Sequence, residues 1–135
     1  MKYSLENPIQ GTITQEKYRA SIQWRNGVII ADEPEAVGGK DLGPDPYTLL
    51  LSSLVACTLS TLRMYIDRKG WVINSITVTV NMYQENNDVF TTTIERDISF
   101  DALITAEQKE KLLLIASKCP VSKILENKMV IQTTI

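Results

Sequence analysis

The stretch Pro46–Lys69, PYTLLLSSLVACTLSTLRMYIDRK, decides the fold. Asp45 stands before it as an N-cap, Pro46 suits the first helical position, and Arg63, Arg68 and Lys69 gather toward the end before Gly70. These signals predict one long helix with both ends marked. Leu49, Leu50, Leu51, Leu54, Val55, Ala56, Leu59, Leu62, Met64 and Ile66 leave almost no polar face in its first half, so burial on most sides is expected. Ser52, Ser53, Thr58 and Ser60 interrupt the apolar run and are expected to keep it short of a membrane span.

On the N-terminal side, Ile9 to Thr14 and Tyr18 to Trp24 read as strands, with Arg25-Asn26-Gly27 as turn chemistry before Val28 to Ala31. Glu33 to Pro46 holds too many glycines and prolines for regular structure and is expected to be a connecting loop, in which Gly38-Gly39-Lys40-Asp41 is a flexible stretch that positions the helix start. On the C-terminal side, Ile76, Val78, Val80 and Met82 alternate with polar residues. The pattern resumes as Phe90, Thr92, Ile94, Arg96, Ile98 and Phe100, which predicts a hairpin of two long strands. Thr105-Ala106-Glu107-Gln108 is a capping-box sequence for a second helix that turns Leu112, Leu113, Ile115 and Ala116 to the core and breaks at Pro120. A short helical turn, Pro120 to Glu126, and a last strand, Met129 to Ile135, complete the pattern. Strands in runs with helices between them indicate an α+β layer fold in a single domain, residues 1–135.

Composition narrows the chemistry. A chain of 135 residues with a formal charge of −2 has no global positive field for nucleic acid or anionic lipid. Histidine is absent, which removes imidazole-based triads, His-ligated haem and nearly every zinc site. Two cysteines, Cys57 and Cys119, are too few for a secreted disulfide scaffold, and the N-terminus carries no apolar leader. A reducing cytoplasm is the expected compartment. Gly38-Gly39-Lys40-Asp41 fails as a phosphate loop, because the upstream glycine is missing and Asp41 replaces the Ser/Thr that would hold magnesium. Arg63, Arg68 and Lys69 are accounted for by the negative end of the helix dipole.

Chemistry therefore falls to the thiols. Taken singly, each is a small buried hydrophobe. Together they form a candidate nucleophile and resolver, since Ser53, Ser60 and Thr61 lie about one turn from Cys57 while Ser117 and Ser122 flank Cys119. A thiolate in mid-helix gains little from the dipole, so a cation has to come from elsewhere, and Arg19 and Arg25 are the natural candidates.

The run Gly38 to Leu51, then Val55-Ala56-Cys57-Thr58, Leu62-Arg63-Met64-Tyr65 and Arg68-Lys69-Gly70-Trp71, resembles the OsmC/Ohr family, in particular its YhfA-like branch. Ser117-Lys118-Cys119-Pro120-Val121-Ser122-Lys123 resembles the second motif of that family. The resemblance implies an OsmC-like fold with antiparallel sheets wrapped around a long central Cys-bearing helix, in an intertwined homodimer with two sites at the subunit interface. It also implies a thiol-dependent peroxidase for organic hydroperoxides, without metal or cofactor. Cys57 would be the peroxidatic thiol and Cys119 the resolving thiol, in a Cys57–Cys119 disulfide reduced by an external dithiol. The activating arginine would fall on Arg19, with Arg25 as the alternative. One departure stands out: Tyr47 and Thr48 occupy the place of the glutamate that pairs with that arginine, so Glu33 or Glu35 substitutes for it, or activity is weak or lost.

Three functions remain in competition on these residues. They are a hydroperoxide reductase, a non-catalytic dimer that senses redox state or binds a ligand, and a structural domain with inert thiols.

Overall fold

Alternating residues either side of Arg25-Asn26 form the first sheet of the computed structural model, which describes residues 2–135. Strands β1 (Gln10–Ile13), β2 (Ala20–Trp24) and β3 (Gly27–Ala31) pair antiparallel in the order β1-β2-β3. Trp24 lies opposite Gly27, so Arg25 and Asn26 make a two-residue hairpin loop. This sheet belongs to a unit that ends at Leu50, and a second compact unit comprises Leu51–Ile135.

The loop after β3 is tightly organised rather than loose. Asp32, only 2% exposed, accepts backbone N–H bonds from Tyr18 (3.2 Å), Glu33 (2.8 Å), Lys40 (3.3 Å) and Leu42 (3.2 Å). Burial opposes its charge, but the four amides outweigh that cost and hold the carboxyl below its ordinary value. The chain also passes itself at close range. A Cβ on Gly39 would stand 2.0 Å from the Glu33 carbonyl oxygen, and one on Gly43 would stand 2.1 Å from that of Ile30. No residue with a side chain fits either position without backbone movement.

Helix α1 (Pro46–Lys69) starts as the sequence predicts: Asp45 accepts the Tyr47 N–H at 3.2 Å and the Thr48 hydroxyl. It ends at Gly70, whose φ of +69° suits glycine. Burial differs from expectation. The buried residues of α1 are Leu54, Thr58, Leu62, Tyr65 and Ile66, a single stripe at helical spacing, while Tyr47, Leu50 and Met64 are exposed, Met64 at 69%. One chain supplies enough packing to cover only that stripe. By length and composition α1 is also apolar enough to cross a membrane, so the serines and threonines do not shorten it as expected. The Leu62–Ile66 face is instead fixed in a protein core.

That core lies in the second unit. Leu62, Tyr65 and Ile66 of α1 pack with Ile73, Leu112 and Ala116, and Ile76, Ile98, Phe100 and Ile115 close around them. Strands β4 (Ile76–Asn86) and β5 (Phe90–Phe100) form the expected antiparallel hairpin, from Ile76 opposite Phe100 to Asn86 opposite Phe90. Helix α2 (Ala106–Ser117) opens on the capping box read from sequence, with Thr105 and Gln108 each bonding the other's backbone N–H. Leu112 and Ala116 are buried, but Leu113 is 58% exposed and faces away from the core, because it sits a quarter-turn past Leu112. Helix α3 (Pro120–Leu125) follows at once. The expected last strand does not form: residues 129–135 make no ladder, and Ile131 is 90% exposed. The β-branched residues Val130, Ile131, Thr133, Thr134 and Ile135 give that segment strand propensity, but a strand exists only where another strand's amides are in reach.

Candidate active site: a thiol pair

The break between α2 and α3 places the second thiol. Pro120 stops one helix and opens the next, and Cys119 becomes the N-cap of α3, accepting the Ser122 N–H on its sulphur at 3.4 Å. Cys119 is wholly buried at 0% exposure. On α1, Thr58 belongs to the buried stripe, and its neighbour Cys57 is partly exposed. Cys57 and Cys119 are near enough for each thiol to act on the other's ionisation, and both cysteines are free. The structure thus brings together the two thiols singled out in the sequence.

Their surroundings are unequal. Burial pushes the Cys57 thiol above its ordinary value, and its contact with Cys119 adds to this, against opposing hydrogen bonds from the Val121 N–H and the Thr61 hydroxyl. Burial also works against a Cys119 thiolate. There the Ser122 hydroxyl and N–H, the Cys57 thiol and the Thr58 hydroxyl outweigh it and bring the pKa down from 9.0 to about 7. In the resting pair the negative charge favours Cys119 and the proton favours Cys57.

Around the sulphurs lies a polar network that sequence reading did not assemble. Cys119 Sγ is 3.2 Å from Ser122 Oγ and 3.9 Å from Thr58 Oγ1. Arg96 of β5 donates from Nη1 to both hydroxyls, at 2.8 Å to Ser122 and 3.0 Å to Thr58. A signal for Arg96 existed: it falls in the inward register of β5 between Ile94 and Ile98, where a charged residue is out of place unless it has a task. Leu54, Ile94, Arg96 and Ser122 line one groove of about 600 Å³, together with Asp97, Lys109 and Glu126. The other flanking hydroxyls are spent locally, Ser60 on the Ala56 and Cys57 carbonyls and Ser117 on that of Leu114.

The remaining candidates lie in the first unit. Arg19 is exposed just before β2, and Arg25, in the β2–β3 turn, stacks over the Trp24 ring at 5.6 Å. Among the described residues neither Glu33 nor Glu35 forms an ion pair with Arg19, and Tyr47 is exposed. No group of three or more metal-ligating side chains occurs among the described residues.

A model of the OsmC-like protein family matches residues 38–134, and the chain belongs to that family. The fold is similar to those of several solved structures. A candidate osmotic stress induced and detoxification response protein of Psychrobacter arcticus has a TM-score of 0.75 at 22% identity, over 92% of this chain and 91% of that one. An organic hydroperoxide resistance protein of Elizabethkingia anophelis has 0.63 at 23% identity, over 90% of each chain. An organic hydroperoxide resistance protein OsmC of Legionella pneumophila has 0.67 at 16% identity, over 92% and 91%. These likenesses carry the fold, an α+β arrangement of antiparallel sheets and a long helix. A comparison with curated proteins finds no match.

Proposed function

We propose that this chain is a thiol-dependent peroxidase that reduces organic hydroperoxides. The Cys57 sulphur attacks the outer peroxide oxygen, the O–O bond breaks, and the leaving alkoxide takes a proton as alcohol, which leaves Cys57 as a sulfenic acid. Cys119 thiolate attacks that sulphur, an S–S bond replaces S–O, and hydroxide leaves to become water. An external dithiol then reduces the disulfide and returns both thiols. The observation that carries this reading is the contact of two thiols of unequal exposure, Cys57 partly open and Cys119 sealed beside it. Names borne by similar structures, organic hydroperoxide resistance proteins among them, support the substrate class.

In this reading Arg19 stabilises the Cys57 anion and orients the peroxide, and the working form is a homodimer. The apolar residues left exposed on α1, together with the unpaired, apolar 129–135 segment, favour a second copy of this chain as the partner. A cycle that starts from two free thiols suits a reducing cytoplasm. The test is consumption of an alkyl hydroperoxide with a dithiol reductant. Cys57→Ser is expected to abolish turnover and Cys119→Ser to leave a trappable sulfenic acid, whereas equal turnover by wild type and Cys57→Ser would overturn the reading.

A second reading has one observation in its favour: Tyr47 and Thr48 provide no carboxylate, and Arg19 has no ion-pair partner among the described residues. A redox-sensing dimer would oxidise Cys57 slowly and once, without steady-state turnover. Sustained multiple turnovers would exclude it.

A further inference from the structure

We propose that Arg96 is a positioning residue for disulfide closure: it turns the Ser122 hydroxyl toward Cys119 and sets a positive charge beside the sulphur that attacks the oxidised Cys57. The inference rests on the peroxidase reading for its chemistry, but its geometry stands alone. A serine hydroxyl has one proton. Ser122 Oγ already accepts from Arg96 Nη1 at 2.8 Å, so its own proton is free for Cys119 Sγ at 3.2 Å. Thr58 is held by the same guanidinium at 3.0 Å, yet its proton goes to the Leu54 carbonyl at 2.7 Å in preference to the sulphur at 3.9 Å. Ser122 is therefore the principal hydroxyl donor to Cys119, with Thr58 the weaker, more distant one.

Charge bookkeeping points the same way. A guanidinium keeps its proton, and when partly buried it calls for a counter-charge. Arg96 forms no ion pair with any carboxylate among the described residues, and the hydroxyls it holds are neutral. One bond beyond them lies Cys119. The ionisable groups facing this cluster are Cys57 from α1, Asp97 from β5, Lys109 from α2 and Glu126 at the end of α3. Closure itself is balanced: Cys119 thiolate supplies the electron pair of the new S–S bond, Cys57 releases hydroxide, and the two electrons taken up earlier by the peroxide are accounted for by two oxidised sulphurs.

The experiment titrates thiolate absorbance near 240 nm in the full chain for wild type, Arg96→Gln, Arg96→Lys, Ser122→Ala and the Arg96→Gln/Ser122→Ala double variant. Arg96→Gln is expected to raise the lower thiol transition by about one pH unit or more, a roughly tenfold loss of thiolate below it. Arg96→Lys should restore part of that loss. Ser122→Ala should reproduce much of it, with the double variant shifted less than the sum because both act through one hydroxyl. After a peroxide pulse, disulfide closure in Arg96→Gln should slow roughly tenfold, with more dimedone-trapped sulfenic acid. If Arg96→Gln does not fold, Ser122→Ala and Arg96→Lys decide by the same titration. An unmoved transition, or strictly additive shifts, would overturn the role of Arg96. A wild-type Cys57 that never forms sulfenic acid would instead overturn the peroxidase reading, while the titration still judges Arg96.

Discussion

Cys57 and Cys119 each act on the other's ionisation, and the two neighbours are driven in opposite directions: burial raises Cys57, while the donors around Cys119 bring it to about 7. The asymmetry separates an accessible sulphur that holds its proton from a sealed one that sheds it.

Because each thiol enters the other's environment, removing one must move the other. Cys119→Ala takes away contacts that raise Cys57, so the Cys57 transition is expected at lower pH than in wild type. Cys57→Ala removes a donor to Cys119, so that transition is expected above about 7. Thiolate absorbance against pH measures both, and shifts of the reverse sign would contradict the assigned donor and acceptor.

Thr58 is buried and shared between the Leu54 carbonyl and Arg96. Thr58→Val keeps the shape and leaves the guanidinium one acceptor short, which costs about 1–3 kcal/mol. Urea unfolding of the variant should show a lower midpoint at unchanged slope.

Leu62 is fully buried at the centre of the second unit's core. Leu62→Ala is expected to destabilise by about 2–5 kcal/mol, the range for a cavity in a packed interior. A loss well under 1 kcal/mol, roughly the level of a surface change, would mean that the core repacks.

Asp32 contributes to the acid sensitivity of the first unit, as does Asp45. Its folded pKa is depressed by four amides, so its contribution is present at neutral pH and is lost as pH falls below 3.8 through the depressed value. Asp32→Asn, which sets an amide against N–H donors, should lower Tm by about 5 °C or more at neutral pH. The variant should also show a shallower acid limb of the Tm profile, the remainder coming from Asp45.

Local signals were legible and long-range ones were not. Asp45, Gly70 and the Thr105–Gln108 box fixed helix ends because each acts within a few residues of itself. The two cysteines stood out as the only thiols, and family resemblance supplied their pairing. Arg96 was visible as an arginine in an apolar register, but its partners Thr58 and Ser122 lie on other elements, and no spacing rule joins them. The segment 129–135 misled for the opposite reason: its residues favour a strand, and the partner that would complete one is no property of the segment itself.

The grip of Asp32 has an engineering consequence. It holds the backbone at Tyr18, Lys40 and Leu42 and ignores what those residues carry, so the side chains there are open to exchange. Only proline, which has no amide hydrogen to offer, is barred from the three positions. A designer could decorate this surface with new recognition groups while the scaffold beneath stays in register.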